Sequence, residues 1–173
     1  MKFAHFIILT VLIFGIACGA KKTGWQELKS KEGRFVVMMP GDSEYLIDTV
    51  GTPTGKVAYP SYAFDEEEKY YLVGYSDMPG ELIARAPADV IIEGSCRGVL
   101  AEAGGREVGS KLLTKDKCLG REITAEIPGA GLVMKVRSYL VGNRLYLLFA
   151  SAPPTDTIGC FGRFMDSFEF SRE

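Results

Sequence analysis

Apolar and polar positions alternate along many short stretches of this chain, which is the pattern of β-strands. The segment Trp25–Ser30 leads into a series of strands rich in β-branched and aromatic residues, each bounded by Gly, Pro or acidic clusters. The predicted strands are Arg34–Met39, Tyr45–Val50, Lys56–Phe64, Tyr70–Ser76, Glu107–Thr114, Leu119–Ile127, Leu132–Val141 and Arg144–Ala150. The run LYLLFA at 145–150 is apolar on both faces and predicts a central, doubly covered strand.

Two further regions carry apolar residues at helical spacing. Between Pro79 and Gly105, one helix face collects Ile92, Cys96, Val99, Leu100 and Ala103, and Pro87 suits a first helical turn. A second stripe near the end of the sequence contains Ile158, Phe161, Phe164, Met165 and Phe168. The elements predict an α+β fold, an antiparallel sheet packed between helices, in the order β-β-β(-β)-α-β-β-β-β-α.

Several segments carry a resemblance to a known fold. The stretches GRFVVMMPG, YLVGNRLYLLFA and FMDSFEF, with the middle helix between them, resemble bacterial envelope proteins with a PsbP-like fold. That fold is shared by extrinsic photosystem proteins and a nuclear Ran-binding factor. The resemblance covers roughly residues 25–170. Because members of this fold mostly bind proteins, it implies binding rather than catalysis, and it assigns no functional residue.

The first residues have the features of an export signal. Met1-Lys2 gives a positive start, and the apolar run Phe3–Ala17 is shorter than the ~20 residues of a spanning helix. Gly15-Ile16-Ala17-Cys18-Gly19 resembles the bacterial lipobox. The resemblance implies a signal peptide at 1–17, a lipid-anchor cysteine and short tether at 18–24, and a single domain at 25–173. An ordinary secreted protein cleaved near Ala17 and an uncleaved anchor are the alternatives.

This signal predicts a lipoprotein of the bacterial cell envelope that faces the periplasm. Acyl chains such as palmitate on Cys18 would hold the chain on the lipid bilayer without a spanning helix. Gly19 follows the cysteine where some lipoproteins carry the Asp that retains them in the inner membrane. By resemblance to that rule, the outer membrane is favoured.

Composition argues against several classes of function. The 173 residues carry a net charge of −2, so no basic excess indicates a nucleic-acid partner. The single histidine is His5, inside the predicted signal peptide. The exported domain would therefore lack the usual general base and the commonest metal ligand. We expect no catalytic, cofactor-binding or metal site, and no cofactor.

The cysteines are the remaining candidates for chemistry. Cys96 lies in a G-x-C-x-G segment that matches a thiol form of the nucleophile elbow, but no histidine is present to activate it. Its place on the apolar helix stripe favours packing or a disulfide. In an oxidising compartment two of Cys96, Cys118 and Cys160 can pair, and Cys96 with Cys160 is one option because both lie on predicted helices. Spacing leaves the pairing open.

These observations predict a non-enzymatic, membrane-anchored lipoprotein that binds a protein partner in the envelope. A small-ligand carrier or hydrolase with a carboxylate- or thiol-based site is the alternative. Tyrosines concentrate in the first hairpins, and Tyr59, Tyr62, Tyr70 and Tyr71 are the candidate contact surface. Packing of these rings in the core is the competing interpretation.

Overall fold

A computed structural model describes residues 23–52, 55–66, 68–156 and 159–171 of the chain. The predicted signal peptide and the predicted lipid-anchor Cys18 lie outside these ranges. Within them, every helix is too short or too polar to cross a membrane.

The described residues alternate between strands and a few helices. The strands are β1 (Thr23–Ser30), β2 (Phe35–Gly41), β3 (Glu44–Thr52), β4 (Gly55–Glu66), β5 (Lys69–Asp77), β6 (Arg106–Lys115), β7 (Cys118–Ile127), β8 (Leu132–Val141), β9 (Arg144–Ala152) and β10 (Glu169–Phe170). The helices are α1 (Gly80–Arg85), α2 (Ala88–Glu102) and α3 (Cys160–Asp166), with a short 3-10 turn at Pro154–Asp156.

The larger of two sheets has seven antiparallel strands in the order β3-β4-β5-β9-β8-β7-β6. As predicted from its apolar run, β9 lies at the centre. Alternation along β9 sends Leu147 to one face and Tyr146 and Leu148 to the other, and all three side chains are buried. The β8–β9 hairpin turns at Gly142, whose φ of 62° suits glycine.

Helix α2 covers one face of this sheet, hereafter the α2 face. Pro87 caps its N-terminus, in agreement with the sequence. The predicted stripe is the packed face of the helix, because Ile92, Cys96 and Leu100 are buried against the sheet. Cys96 and Leu100 pack in one cluster with apolar side chains of the sheet, among them Ile123, Met134, Val136 and Leu147. Ile92 packs in a neighbouring cluster with Met78 and Leu145.

The opposite face, hereafter the β2 face, is covered by a three-stranded sheet of order β1-β2-β10 together with α3. Strand β2 buries alternate residues, and these are Phe35, Val37 and Met39. Phe161, Phe164 and Met165 of α3 join the same core. Phe168 is also buried there, just beyond the end of the helix.

Polar contacts fix the small sheet and α3 on the large sheet. Arg144 of β9 donates from Nη1 to the Glu32 carbonyl in the β1–β2 turn at 2.6 Å, and it forms a paired contact with Asp77. The Met38 backbone N–H donates to Ser167 Oγ, at the end of α3, at 2.9 Å.

The architecture corrects the predicted element order in three respects. The single helix predicted in the middle of the chain is two helices, α1 and α2. The segment before the helices contains five strands, and a two-residue strand, β10, follows α3. The first two strands also leave the main sheet: they pair with each other, and β2 pairs with β10. The physical reason is the alternation of β2, whose buried side chains point at the large sheet and therefore stack a second layer upon it.

Candidate functional site

The large sheet ends on one side at β3, whose outer edge pairs with no strand in the described part of the chain. Large apolar side chains of this strand face solvent, and the most exposed is Ile47, at 67%. The others are Tyr45, Leu46 and Val50. We call Glu44–Thr52 the β3 edge.

The β3 edge pairs regularly with β4, and its side chains contact the rest of the domain. It pairs with β4 residue by residue, from Glu44 opposite Ala63 to Thr52 opposite Gly55, without a bulge. The Tyr45 ring lies 5.0 Å from the Tyr62 ring, which in turn contacts the buried Phe35. The exposed apolar strip is therefore continuous with the core.

The other edge of the sheet, β6, has a different character. Its pairing with β7 is interrupted by a bulge between Glu107 and Gly109. It carries Lys111 and Lys115, and a short turn leads to β7. Bulges and lysines are the devices by which proteins keep an edge strand from pairing with other chains. The β3 edge contains neither a bulge nor any Lys, Arg or Pro.

The predicted tyrosine surface is not assembled in the structure. Tyr71 is buried, and Tyr62 lies with it on the β2 face. Tyr59 and Tyr70 lie on the α2 face, because they alternate with the first pair along β4 and β5. The four rings are divided between two faces, and none is among the large exposed apolar side chains. Tyr71 is packed in the core, as the alternative interpretation of these tyrosines predicted.

The three cysteines of the domain are free thiols. Cys96 belongs to the core cluster under α2, whereas Cys160 packs against the cluster on the β2 face. The structure therefore does not bring together the two thiols of the expected disulfide, because the large sheet lies between them. Burial raises the pKa of Cys96 to about 12, so the thiolate needed for nucleophilic attack is strongly disfavoured.

The most enclosed charged group is Glu122 of β7, which is 3% exposed. Arg137 of β8 donates from Nε to Glu122 Oε2 at 2.8 Å, and Lys111 and Lys135 contact Oε1 at 3.2 and 3.3 Å. Burial alone would raise the pKa of Glu122, but the hydrogen bond and charge of Arg137 hold it below its usual range. Arg137 also donates to the Met165 carbonyl at 2.7 Å and so ties α3 to the sheet.

A shallow hollow of about 320 Å³ lies beside this carboxylate and is lined by Gly109, Ser110, Lys111, Glu122 and Thr124. Because Glu122 is held as an ion pair, it is a poor general acid or base at neutral pH. In the described residues, no three His, Cys, Asp or Glu side chains are grouped so as to hold a metal ion.

Known structures support the fold. The solution structure of cyanobacterial PsbP (CyanoP) from Synechocystis sp. PCC 6803 covers 91% of this chain and 98% of its own length, with 12% sequence identity and a TM-score of 0.57. This likeness shows the fold alone, and the chain has a PsbP-like fold, as its segments predicted. A crystal structure of a Pseudomonas aeruginosa protein of unknown function covers 78% of this chain and 86% of its own, at 12% identity. Its TM-score of 0.41 is too low to carry an argument. No protein-family model and no curated protein matches the chain.

Proposed function

We propose that this protein is a lipid-anchored component of the bacterial cell envelope, attached through Cys18, whose domain binds a protein partner at the β3 edge. The observation that carries the binding proposal is the contrast between the two edges of one sheet. Both edges expose apolar side chains, but β6 combines Val108 and Leu112 with a bulge and lysines, whereas β3 exposes Tyr45, Leu46, Ile47 and Val50 on a regular strand without Lys, Arg or Pro. An edge left open in this way is a site for pairing with another chain.

The rival, a hydrolase or small-ligand carrier, has weaker support from the geometry. Its thiol candidate, Cys96, is fully buried and has a raised pKa. Its carboxylate candidate, Glu122, is committed to Arg137 and two lysines. Neither group is placed for proton transfer or nucleophilic attack, and the hollow beside Glu122 is shallow.

The lipid anchor is proposed from the signal alone. Strand β1 begins at Thr23, so the chain between Cys18 and the domain can reach at most about 18 Å. An anchored domain would thus work close to the membrane surface, with the partner in the same envelope layer. The intact mass of protein extracted from membranes tests the anchor: acyl chains on a chain that starts at Cys18 are expected, and an unmodified mass would refute it.

Site-specific photo-crosslinking in the native cell tests the binding surface. A photoreactive amino acid is placed at Ile47 of the β3 edge and, in a matched control, at Leu112 of the β6 edge, which is 62% exposed. A discrete crosslinked species from Ile47, absent from Leu112, is expected. Equal crosslinking at both positions, or none at Ile47, would contradict the proposal. Repeating both with Cys18→Ala shows whether the partner is met only at the membrane.

A further inference from the structure

We infer that the β3 edge accepts an extended, positively charged segment of the partner as an additional β-strand. This inference rests on the proposed function, since it specifies the chemistry of the partner at the same surface.

The backbone of β3 is prepared for strand addition. Its register with β4 continues unbroken from Glu44 to Thr52, so alternate N–H and C=O groups point outward along roughly 30 Å of edge. A bulge would break this row of donors and acceptors, and the β6 edge has one. An incoming segment of about the same length could pair along the whole row.

The side chains of β3 divide between the two faces of the sheet. Tyr45 and Ile47 lie on the β2 face, because Tyr45 is opposite Tyr62. The alternate positions Leu46 and Val50 lie on the α2 face. A partner strand with apolar residues at alternating positions would therefore find apolar neighbours on both faces, and such cross-strand pairs stabilise sheets.

The charged residues of β3 itself are all acidic, and Lys56 of β4, opposite Gly51 near the far end of the strand, lies on the β2 face. Glu44 and Asp48 alternate with Leu46 and Val50 on the α2 face, and Asp65 of β4 lies on this face as well, two residues beyond the partner of Glu44. None of the three carboxylates forms a salt bridge with a lysine or arginine in the described part of the chain. Asp48 Oδ1 accepts one local hydrogen bond, from the Thr49 backbone N–H at 2.6 Å, which leaves its charge uncompensated. Lysines or arginines of a partner strand would supply the missing counter-charges.

The same charges argue against a second copy of this chain as the occupant. Two β3 strands paired antiparallel about a two-fold axis would bring Glu44 and Asp48 of both copies to one face. Since β3 contains no Lys or Arg, no cation would oppose them. Like charges across strands destabilise a pair, whereas opposite charges stabilise it. Electrostatics therefore disfavours a symmetric β3–β3 pair and favours a cationic strand. The cationic β6 edge of a second copy is interrupted by its bulge between Glu107 and Gly109, so the occupant we infer is a strand of a different protein.

Hydrogen exchange measured on the full-length chain in detergent, with synthetic peptides as probes, tests this inference. Three nine-residue peptides alternate Val and Thr and differ at two positions, which carry Lys, Glu or Gln. A fourth is the Lys peptide with alternate backbone amides N-methylated along one edge. The Lys peptide should slow the exchange of the outward-pointing β3 amides, whereas the Glu peptide should not. N-methylation of the Lys peptide should abolish this protection.

A charge-reversed protein provides the matched control. In the double variant Glu44→Lys, Asp48→Lys, preference should shift from the Lys peptide to the Glu peptide by about tenfold, as expected for two cross-strand charge pairs. Lys115→Glu on the β6 edge, away from the Glu122 ion pair, should leave the preference unchanged. This comparison separates local pairing from the general attraction of a peptide to the protein.

The outcomes separate the inference from the proposed function. The inference is overturned if the Lys, Glu and Gln peptides bind equally well, or if the N-methylated peptide still protects the β3 amides. Crosslinking at Ile47 in cells would still support the proposed function in either case. Alternate β3 amides are protected in any case by their bonds to β4, so only the outward-pointing amides report on the edge. Protection of these outward amides without any peptide would show that another segment or a second copy already covers the edge, and it would overturn the inference. A dimer in sedimentation that Ile47→Lys dissociates would identify the second copy, and it too overturns the inference.

Discussion

Replacing Arg137 by methionine removes the cation from the most deeply buried ion pair of the domain. Arg137 is 8% exposed, and its guanidinium donates to Glu122, to the Met165 carbonyl at 2.7 Å and to Asp166 Oδ1 at 2.9 Å. Methionine fills a similar volume but makes none of these hydrogen bonds. The substitution therefore leaves the Glu122 carboxylate buried without its principal partner.

Breaking a buried pair in this way costs about 3–5 kcal/mol. We expect the lower end, about 3 kcal/mol, because Lys111 and Lys135 still contact Glu122 Oε1 at 3.2 and 3.3 Å. The loss of the bond to Met165 should also loosen α3. Relative to the usual stability of a domain, about 5–15 kcal/mol, this is a large fraction.

Urea unfolding at neutral pH, followed by circular dichroism, measures this cost as a lowered midpoint with an unchanged slope. The double variant Glu122→Leu, Arg137→Met is the control, since it leaves no unpaired carboxylate and should recover much of the lost stability. A loss below about 1 kcal/mol for Arg137→Met would refute the reasoning. A double variant that is less stable than the single variant would refute it as well.

Three further results are expected from the same structure. Tyr59→Phe should raise the free energy of unfolding by about 1 kcal/mol, since the Tyr59 hydroxyl is buried and has no hydrogen-bond partner in the described residues; a destabilised variant in thermal unfolding would contradict this. Gly74→Ala should lower the free energy of unfolding by about 1–3 kcal/mol, because the added methyl would lie 2.6 Å from Tyr59 Oη and 3.0 Å from a backbone carbonyl. An unchanged melting temperature would show that the Tyr59 ring moves aside freely. The lowered pKa of Glu122 contributes stability that is present above its unfolded value of 4.5 and is lost as pH falls through its folded value. In Arg137→Met, burial is no longer offset by the arginine and raises the pKa of Glu122. The difference in unfolding free energy between this variant and the wild type should therefore narrow as pH falls from about 6 to 4. A difference that stays constant with pH in urea titrations would contradict the role given to the Glu122–Arg137 pair.

Local patterns in the sequence were sufficient for most of the elements. Alternation located the strands of the large sheet to within a few residues, and the stripe through Ile92, Cys96 and Leu100 located the packed face of α2. The apolar stripe that ends at Phe168 predicted a helix longer than the one observed. Helix α3 ends at Asp166, and Phe168 is buried although it lies beyond the helix. Helical spacing alone does not distinguish a residue in the last turn from one just after it.

Long-range pairing was not predictable in the same way. The separate three-stranded sheet depends on β10 meeting β2, more than a hundred residues away in sequence, and two residues give no periodic signal. The division of Tyr59, Tyr62, Tyr70 and Tyr71 between two faces was not predictable for a similar reason, since which face of a hairpin is covered depends on the second layer. The expected disulfide likewise required knowing on which side of the sheet each helix packs.

The β3 edge was predicted as a strand but not as a surface. Its signal in the sequence is an absence: Glu44–Thr52 contains no Lys, Arg or Pro, whereas β6 carries Lys111 and Lys115. The lack of Lys, Arg and Pro indicates an open edge only once the strand order shows that β3 and β6 are the two edge strands of the sheet. A residue such as Ile47 looks like a core position until the sheet is assembled.

Affinity for the protein crosslinked at Ile47 is the most direct test of the central claim that the β3 edge is the binding surface. The comparison is between Ile47→Lys and Leu112→Lys, which place the same charge on exposed positions of the two edges. Both variants should keep the unfolding free energy of the wild type, because neither position is buried. The account predicts that Ile47→Lys weakens binding at least about tenfold while Leu112→Lys leaves it unchanged. Equal affinity of Ile47→Lys and the wild type for that partner would contradict it.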